Sequence, residues 1–350
     1  MKKHLCVRAC IVIATGAFST AVLGANWSIT EGPNSDGPGQ QVLVSADGKP
    51  VARFIHGEGQ FKPYLHAYGE EGQLLTNGGL DAAGKAAGKY PHHRGIFIGW
   101  NKLTSDLGSF DLWHFNNGGK MELNRFELLK ATGDDATLIA LITWRGGKKD
   151  ADESDLLINE RRTLKITRPE GRRTQIDAHF ELTAARDLKL DGDLQHAGIH
   201  FRAADEVAGR NSETAYVSDP EDKETKGRNW QPGPPKKDKD GKEVAPPKFA
   251  TGEINWCRLI FPIGERWYAA SELNAPSNPI EELSWRDYGR FGFFFKKSLK
   301  KGEKLAVDYR FFVEPAEAPA GKGKLSAGQS AKARAQSSAD FTAFAKSIRR

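Results

Sequence analysis

The sequence predicts an all-β protein, a large antiparallel two-sheet β-sandwich formed as one domain. Three observations carry this expectation. About a dozen short segments follow one another with apolar and polar residues in alternation, the period of a half-buried strand. Gly, Asp and Lys turns separate them, and aromatic residues are spread along the whole chain. The body shows no long stretch of helical period and no internal repeat. With 350 residues, 39% of them hydrophobic and 27% charged, the chain can build one large core.

Taken in order, residues 1–24 open with Lys2 and Lys3, run through an apolar stretch over 11–23, and reach the small residues Gly24 and Ala25. This is the pattern of a secretory signal peptide, and the apolar run is shorter than the span of about 20 residues that crosses a bilayer. The expected location is periplasmic or secreted, with no integral membrane insertion after signal removal. Residues 26–40 are turn-rich, and 41–45 with 51–56 flank Ala-Asp-Gly-Lys-Pro as a hairpin. Over 61–68, Phe61, Pro63, Leu65 and Ala67 fall on one side, and Lys62, Tyr64, His66 and Tyr68 on the other. Residues 69–91 lack a period and read as a long loop, of a length that is usually functional or disordered.

A strand is expected over 91–100, then four more over 122–131, 136–145, 157–168 and 173–183. In the last, Ile176, Ala178, Phe180 and Leu182 face the core, while Gln175, Asp177, His179 and Glu181 face away. Residues 195–202 repeat that logic. Residues 218–250 contain Pro-Gly-Pro-Pro-Lys-Lys-Asp-Lys-Asp-Gly-Lys and no apolar period, so they read as an exposed insertion. Strands resume over 253–263, 266–273, 283–296 and 304–313, completing a domain of residues 26–314. Residues 315–350 are expected as a linker and a short C-terminal amphipathic helix over 338–350, carrying Phe341, Phe344 and Ile348 on one side.

Charge narrows the partners. Of the formal +6, residues 1–24 hold +3 and residues 315–350 hold +5, which leaves the body at −2. A body of that sign lacks the concentrated basic face that phosphate neutralisation needs, so no nucleic acid partner is expected. Cys257 is the one cysteine outside the leader, which rules out an internal disulfide in the processed chain.

The chemistry gathers at residues 89–100, Lys-Tyr-Pro-His-His-Arg-Gly-Ile-Phe-Ile-Gly-Trp, and at Phe-Asp-Leu-Trp-His-Phe over 110–115. On a strand from residue 91, His92 and Arg94 share one side while His93 takes the other, so the two histidines diverge and make poor joint ligands. His196 and His200, four apart, stand roughly 13 Å apart on a strand. No metal and no cofactor are therefore expected. Faces bearing His, Arg and Tyr suit a polyhydroxylated ligand, whose ring faces stack on aromatics while its hydroxyls take hydrogen bonds. His92, His93, Glu160 and Asp177 are the candidate acids and bases. Arg94, Tyr64, His66, Asp111, Trp113, His114, His196, His200, Arg202, Arg286 and Asp287 are the candidate substrate contacts. Nucleophile-elbow, phosphate-loop and dinucleotide signatures are missing.

In order, PHHRGIFIGW, FDLWHF, INERRTLKI, RRTQIDAHFEL, HAGIHFR and SWRDYGRFGFF resemble the motifs of the PmoA-like proteins, secreted bacterial proteins carrying a methane-oxygenase label. The resemblance runs over about residues 45–314 and implies a sandwich like that of the galactose mutarotases, a galactose-mutarotase-like supersandwich. It places His92, His93, Arg94, Asp111, Trp113, Glu160, Arg161, Arg286 and Asp287 at motif positions, with Trp100 and Asn101 standing near a position where the motif holds a histidine. Methane oxidation in a membrane needs apolar spans that this body lacks. The expected function is an exported carbohydrate-active protein with acid/base chemistry on a sugar or glycoside, of hydrolase, epimerase or lyase type. The alternatives are a non-catalytic sugar-binding or structural sandwich, and a metal-dependent oxidoreductase.

Overall fold

The computed structural model describes residues 25–147, 155–170, 172–193, 195–219, 236–237, 241, 243–244 and 254–348. The leader expected at residues 1–24 and most of the expected insertion at 218–250 lie outside these.

Two eight-stranded antiparallel sheets form the body, as an all-β sandwich requires. The first runs Trp27–Pro33, Gln40–Ala46, Lys49–His56, Tyr64–Ala67, Ile96–Trp100, Ala197–Arg202, Arg290–Phe294 and Glu282–Arg286. The second runs Ala215–Asp219, Trp256–Ile263, Arg266–Asn274, Lys304–Pro315, Arg173–Ala184, Leu156–Glu170, Asp135–Arg145 and Lys120–Ala131. Side chains from both fill one core, with Ile98, Trp100, Ile199, Phe291 and Phe293 from the first and Trp144, Ile176, Phe180, Val307 and Phe311 from the second. The strand Arg173–Ala184 alternates buried and half-buried residues along most of its length, as its sequence predicts.

The middle of the first sheet departs from that simple alternation. Ile96–Trp100, Ala197–Arg202 and Arg290–Phe294 are buried on both faces. Their outer face holds a second, smaller apolar cluster of Ile55, Tyr64, Phe97, Trp113 and Phe294. Chain segments cross over it, and glycines let them come close. A Cβ on Gly99 would fall 2.4 Å from the carbonyl oxygen of Leu112, and Leu112 donates its N–H to the Trp100 carbonyl at 2.8 Å.

Several expected boundaries move. The strand expected from residue 91 begins at Ile96, because Gly95 turns with φ +39° and any Cβ there would meet the Leu65 carbonyl at 2.2 Å. The turn-rich stretch 26–40 supplies an edge strand, Trp27–Pro33, that ends on its proline. The segment 283–296 is a hairpin, broken by a turn at Gly289 with φ +82°. A small four-stranded sheet, Lys297–Leu299, Leu188–Asp191, Lys102–Ser105 and Gly108–Phe110, was not foreseen. The C-terminal helix starts at Ala327 rather than at 338 and runs to Ser347.

Candidate functional site

Three segments meet over the outer face of the first sheet at its centre. Residues 89–95 lead into Ile96–Trp100, residues 111–115 follow the short strand Gly108–Phe110, and residues 192–196 lead into Ala197–Arg202. Each delivers histidine. His92, His93, His114, His196 and His200, five of the nine in the chain, form one connected group of rings.

The outer layer is His92, His114 and His196, each half-buried. Their ring centroids are 4.4 Å apart for His92 and His114, 4.8 Å for His114 and His196, and 6.4 Å for His92 and His196. Taking one ring nitrogen from each, these atoms lie within 4.8 Å of one another. The divergence of His92 and His93 expected from strand geometry does not occur. Both sit in the turn before the strand, with rings 4.2 Å apart. His196 and His200, expected too far apart to cooperate, are bridged by His93, 5.8 Å from one and 5.4 Å from the other.

Two aspartates hold the outer layer from behind. Asp111 accepts the N–H of Trp113 at 2.9 Å and of His114 at 2.8 Å through Oδ1, while its Oδ2 lies 2.9 Å from His114 Nδ1. Asp193 accepts the Gln195 N–H at 2.9 Å and lies 2.8 Å from His196 Nδ1. An ionised carboxylate only accepts, so each Nδ1 carries the hydrogen, and in a neutral ring with that tautomer Nε2 presents its lone pair. The two aspartates are suited to this. Burial pushes Asp193 upward, but the His196 ring and the Gln195 N–H outweigh it and leave the carboxyl at about 2. For Asp111 burial is likewise overcome, by the His114 ring and the two main-chain donors, and its pKa is lowered. Burial, followed by the neighbouring His114 and Lys62, lowers His92 to about 3, and burial lowers His196 against the pull of Asp193.

Beneath lies a fully buried layer. His93 and His200 are 1% and 0% exposed; both ring nitrogens of His93 lack a hydrogen-bond partner among the described residues, while the Arg94 main chain lies against the His200 ring. Burial drives both well below the ordinary histidine range. Trp113 packs edge-on against His200 at 4.8 Å and against His196 at 5.4 Å. Lys62, also buried, donates to the carbonyls of His92 and Trp113 at 2.8 Å each and sets its ammonium 3.4 Å from the Phe97 ring centre. It thereby ties two of the three histidine-bearing segments together.

Aromatic rings flank the group. Tyr90, 40% exposed, stands 6.3 Å from His92 and 4.5 Å from Tyr288. Phe61, 53% exposed, stacks on Phe115, the neighbour of His114, at 6.2 Å.

Other expected site residues lie elsewhere. Glu160, expected as a catalytic base, is buried in the second sheet, where it takes the Trp144 indole N–H at 2.7 Å and pairs with Arg162 at 2.6 Å. Asp177 is on the same sheet, paired with Arg310 at 2.5 Å. Strand alternation gave Asp177 an outward reading, but its charge is matched by Arg310 on a distant strand, and Glu160 is matched by Arg162 two residues along its own strand. Tyr64 and His66 share the outer face of the first sheet but pack on each other at 5.0 Å, with His66 Nδ1 2.8 Å from Thr76. Arg94, expected beside His92, turns to Gln60 at 2.5 Å and over the Tyr64 ring. Arg202 spends its donors on the carbonyls of Ala203, Tyr288 and Lys89, bracing the segment that carries His92. Arg286 donates to the Trp285 carbonyl, and Asp287 accepts from Asn211 at 2.8 Å. Asp193, Lys62, Tyr90, Phe61 and Tyr288 were not foreseen. For Asp193 a signal existed, since Asp193-Leu194-Gln195-His196 repeats the spacing of Asp111-Leu112-Trp113-His114.

The chain belongs to a family of unknown function, DUF6807, whose profile matches residues 41–324. That match corrects the PmoA-like resemblance read from the motifs: the profile covers the residues that carry them, and no PmoA-like family is shown. No curated protein matches the chain in sequence. Among solved structures, the chain is similar to a heparan sulfate lyase, HepC from Pedobacter heparinus, at 10% identity and a TM-score of 0.36, over 85% of this chain and 37% of that one. It thus spans little more than a third of the lyase. It is also similar to a galactose mutarotase-like protein from Clostridium acetobutylicum, at 10% identity and a TM-score of 0.38, over 83% of this chain and 99% of that one. A GalM/aldose epimerase homologue from C. elegans is similar at 10% identity and a TM-score of 0.35, over 83% and 100% of the two chains. At these identities the likeness concerns fold alone.

Proposed function

We propose that this DUF6807 protein binds a carbohydrate across the histidine face and carries out acid/base chemistry on it. The observation that carries the reading is the combination of half-buried imidazoles with exposed aromatic rings on either side, Tyr90 next to His92 and Phe61 on Phe115 next to His114. Sugars present apolar ring faces and a rim of hydroxyls, and such surfaces are met by aromatic plates around a few fixed polar atoms. Here the Asp111 and Asp193 carboxylates fix the tautomers, so His114 and His196 each offer an Nε2 acceptor to a hydroxyl proton. Glu160 and Asp177 have no part in this chemistry. The leader read in residues 1–24 supports export as the setting, which cell fractionation with N-terminal sequencing of the product would check.

The test is a thermal-shift screen of the purified protein against neutral and acidic mono- and oligosaccharides. A hit is expected, weakened about tenfold or more by Tyr90→Ala through loss of the stacking plate. His114→Ala is expected to lower turnover of that ligand by roughly 100-fold or more while the protein still melts cooperatively. Binding without turnover in the wild type would reduce the reading to a sugar-binding module. A screen with no carbohydrate hit would reject it.

A further inference from the structure

We infer that His92, His114 and His196 form a binding site for one first-row transition-metal dication of the zinc class. The inference goes beyond the carbohydrate reading: with an ion bound, the Nε2 atoms of His114 and His196 are ligands and no longer take a hydroxyl proton, so the acid/base step proposed above belongs to the metal-free protein. A tetrahedral ion bound at about 2.0–2.1 Å sets its nitrogen ligands about 3.4 Å apart. The three ring nitrogens already lie within 4.8 Å of one another. Small side-chain rotations on the turns that carry them close the remaining gap of about 1.4 Å at most.

The donor set and its surroundings fit the same ion. Three imidazoles with no thiolate select Zn2+, Ni2+, Cu2+ or Fe2+ over Mg2+ and Ca2+, which require oxygen ligands. Ligating histidines characteristically pass their second N–H to a carboxylate, which fixes the ring and raises its basicity. Asp111 does this for His114 and Asp193 for His196, at 2.9 and 2.8 Å. The two carboxylates also place negative charge one ring behind the position of a dication. Two basic side chains stand nearby: Lys62 directs its terminal nitrogen at the His92 and Trp113 carbonyls, and the buried Arg290 is close enough to act on His196 and His93.

A second observation points to a ligand at this face. His93, fully buried and next to the trio, keeps both ring nitrogens without a partner among the described residues. Buried polar atoms of that kind carry a desolvation cost, which a site can recover when an ion and its bound water complete the network. A three-histidine site leaves a coordination position open, and that position would receive water or a ligand hydroxyl.

The experiment uses the full chain, prepared without a polyhistidine tag, stripped with a chelator and dialysed. Calorimetric titration with Zn2+ and visible absorption with Co2+ are read in the absence of any sugar. One ion per chain with submicromolar affinity is expected. Asp193→Asn should weaken binding roughly 10–100-fold while leaving the melting curve cooperative. His114→Ala should abolish the Co2+ absorption, and His179→Ala, on the far sheet, should leave both readouts unchanged. Failure to bind Zn2+ stoichiometrically, or equal binding by a triple His92→Ala, His114→Ala, His196→Ala variant, would overturn the inference. Failure of the carbohydrate screen with Zn2+ bound would leave the metal site standing, so the two readings fail separately.

Discussion

Glu272 lies in the core on the same strand side as Tyr268 and Ala270, with both carboxylate oxygens unpartnered among the described residues. Burial drives its pKa well above the carboxylate range, so the folded chain holds the proton that the unfolded chain releases. The sign follows from linkage: the native state binds more protons, so stability falls as pH rises above the unfolded carboxylate pKa and continues to fall until the folded pKa is reached. The slope is about 1.4 kcal/mol per pH unit for one such group. Urea denaturation from pH 5 to pH 8 should show it, and Glu272→Gln should flatten the profile relative to wild type; an identical slope in the two proteins would refute this origin. Single residues were unevenly legible. The repeat of Asp-Leu-x-His at residues 111 and 193 could be read directly, because an Asp three before a His forms its contacts within one turn. Lys62 could not, because a lysine on an alternating strand reads as solvated until other segments are known to cross over it.

Strands were legible as elements wherever one face meets the core and the other meets water, as in Arg173–Ala184. Where both faces are covered the period disappears, which is why the start at Ile96 was missed. The C-terminal helix shows the same limit in another form. Its large apolar contacts come late, at Phe341, Phe344 and Ile348, with only the small Ala333 before them, but its start is set by a capping box in which Ser326 Oγ takes the Gln329 N–H at 3.1 Å and Gln329 Oε1 takes the Ser326 N–H at 3.0 Å. The Ala-rich stretch between has helix propensity without an apolar stripe, and so resembled a linker. Phe344 is 2% exposed, sits under the Arg310 guanidinium at 5.0 Å, and belongs to a cluster with Val217, Trp256 and Phe312. Phe344→Ala should therefore cost about 3–5 kcal/mol if the helix and body unfold together, whereas Ser326→Ala should cost about 1 kcal/mol and raise amide exchange in the first turn only. Exchange mass spectrometry reads both. Loss of the helix with no shift of the main unfolding transition would show that the helix is a separately folding appendage.

The two sheets divide the work of the molecule. The first carries the histidine face, and the second carries the acids that a sequence reading would assign to catalysis. The division could not be read from composition, since it depends on which loops meet over which sheet, and those contacts join residues as far apart in the chain as Tyr90 and Tyr288. One charged contact joins the sheets close to the site: Arg162, paired with Glu160 in the second sheet, donates to the Pro63 carbonyl at 3.0 Å, immediately after Lys62, which ties the site's segments. Removing one member of a buried pair leaves the other charge uncompensated, at a cost of about 3–5 kcal/mol, whereas replacing both with apolar groups of similar volume is close to neutral. Glu160→Gln should accordingly lower the denaturation midpoint strongly, and Glu160→Leu with Arg162→Met should recover most of it. In both proteins the fraction that remains folded should bind Zn2+ as wild type does, since neither residue touches the histidines. An unchanged midpoint for Glu160→Gln, together with lost turnover on any carbohydrate that is found, would return Glu160 to a catalytic role and remove this division of labour between the sheets.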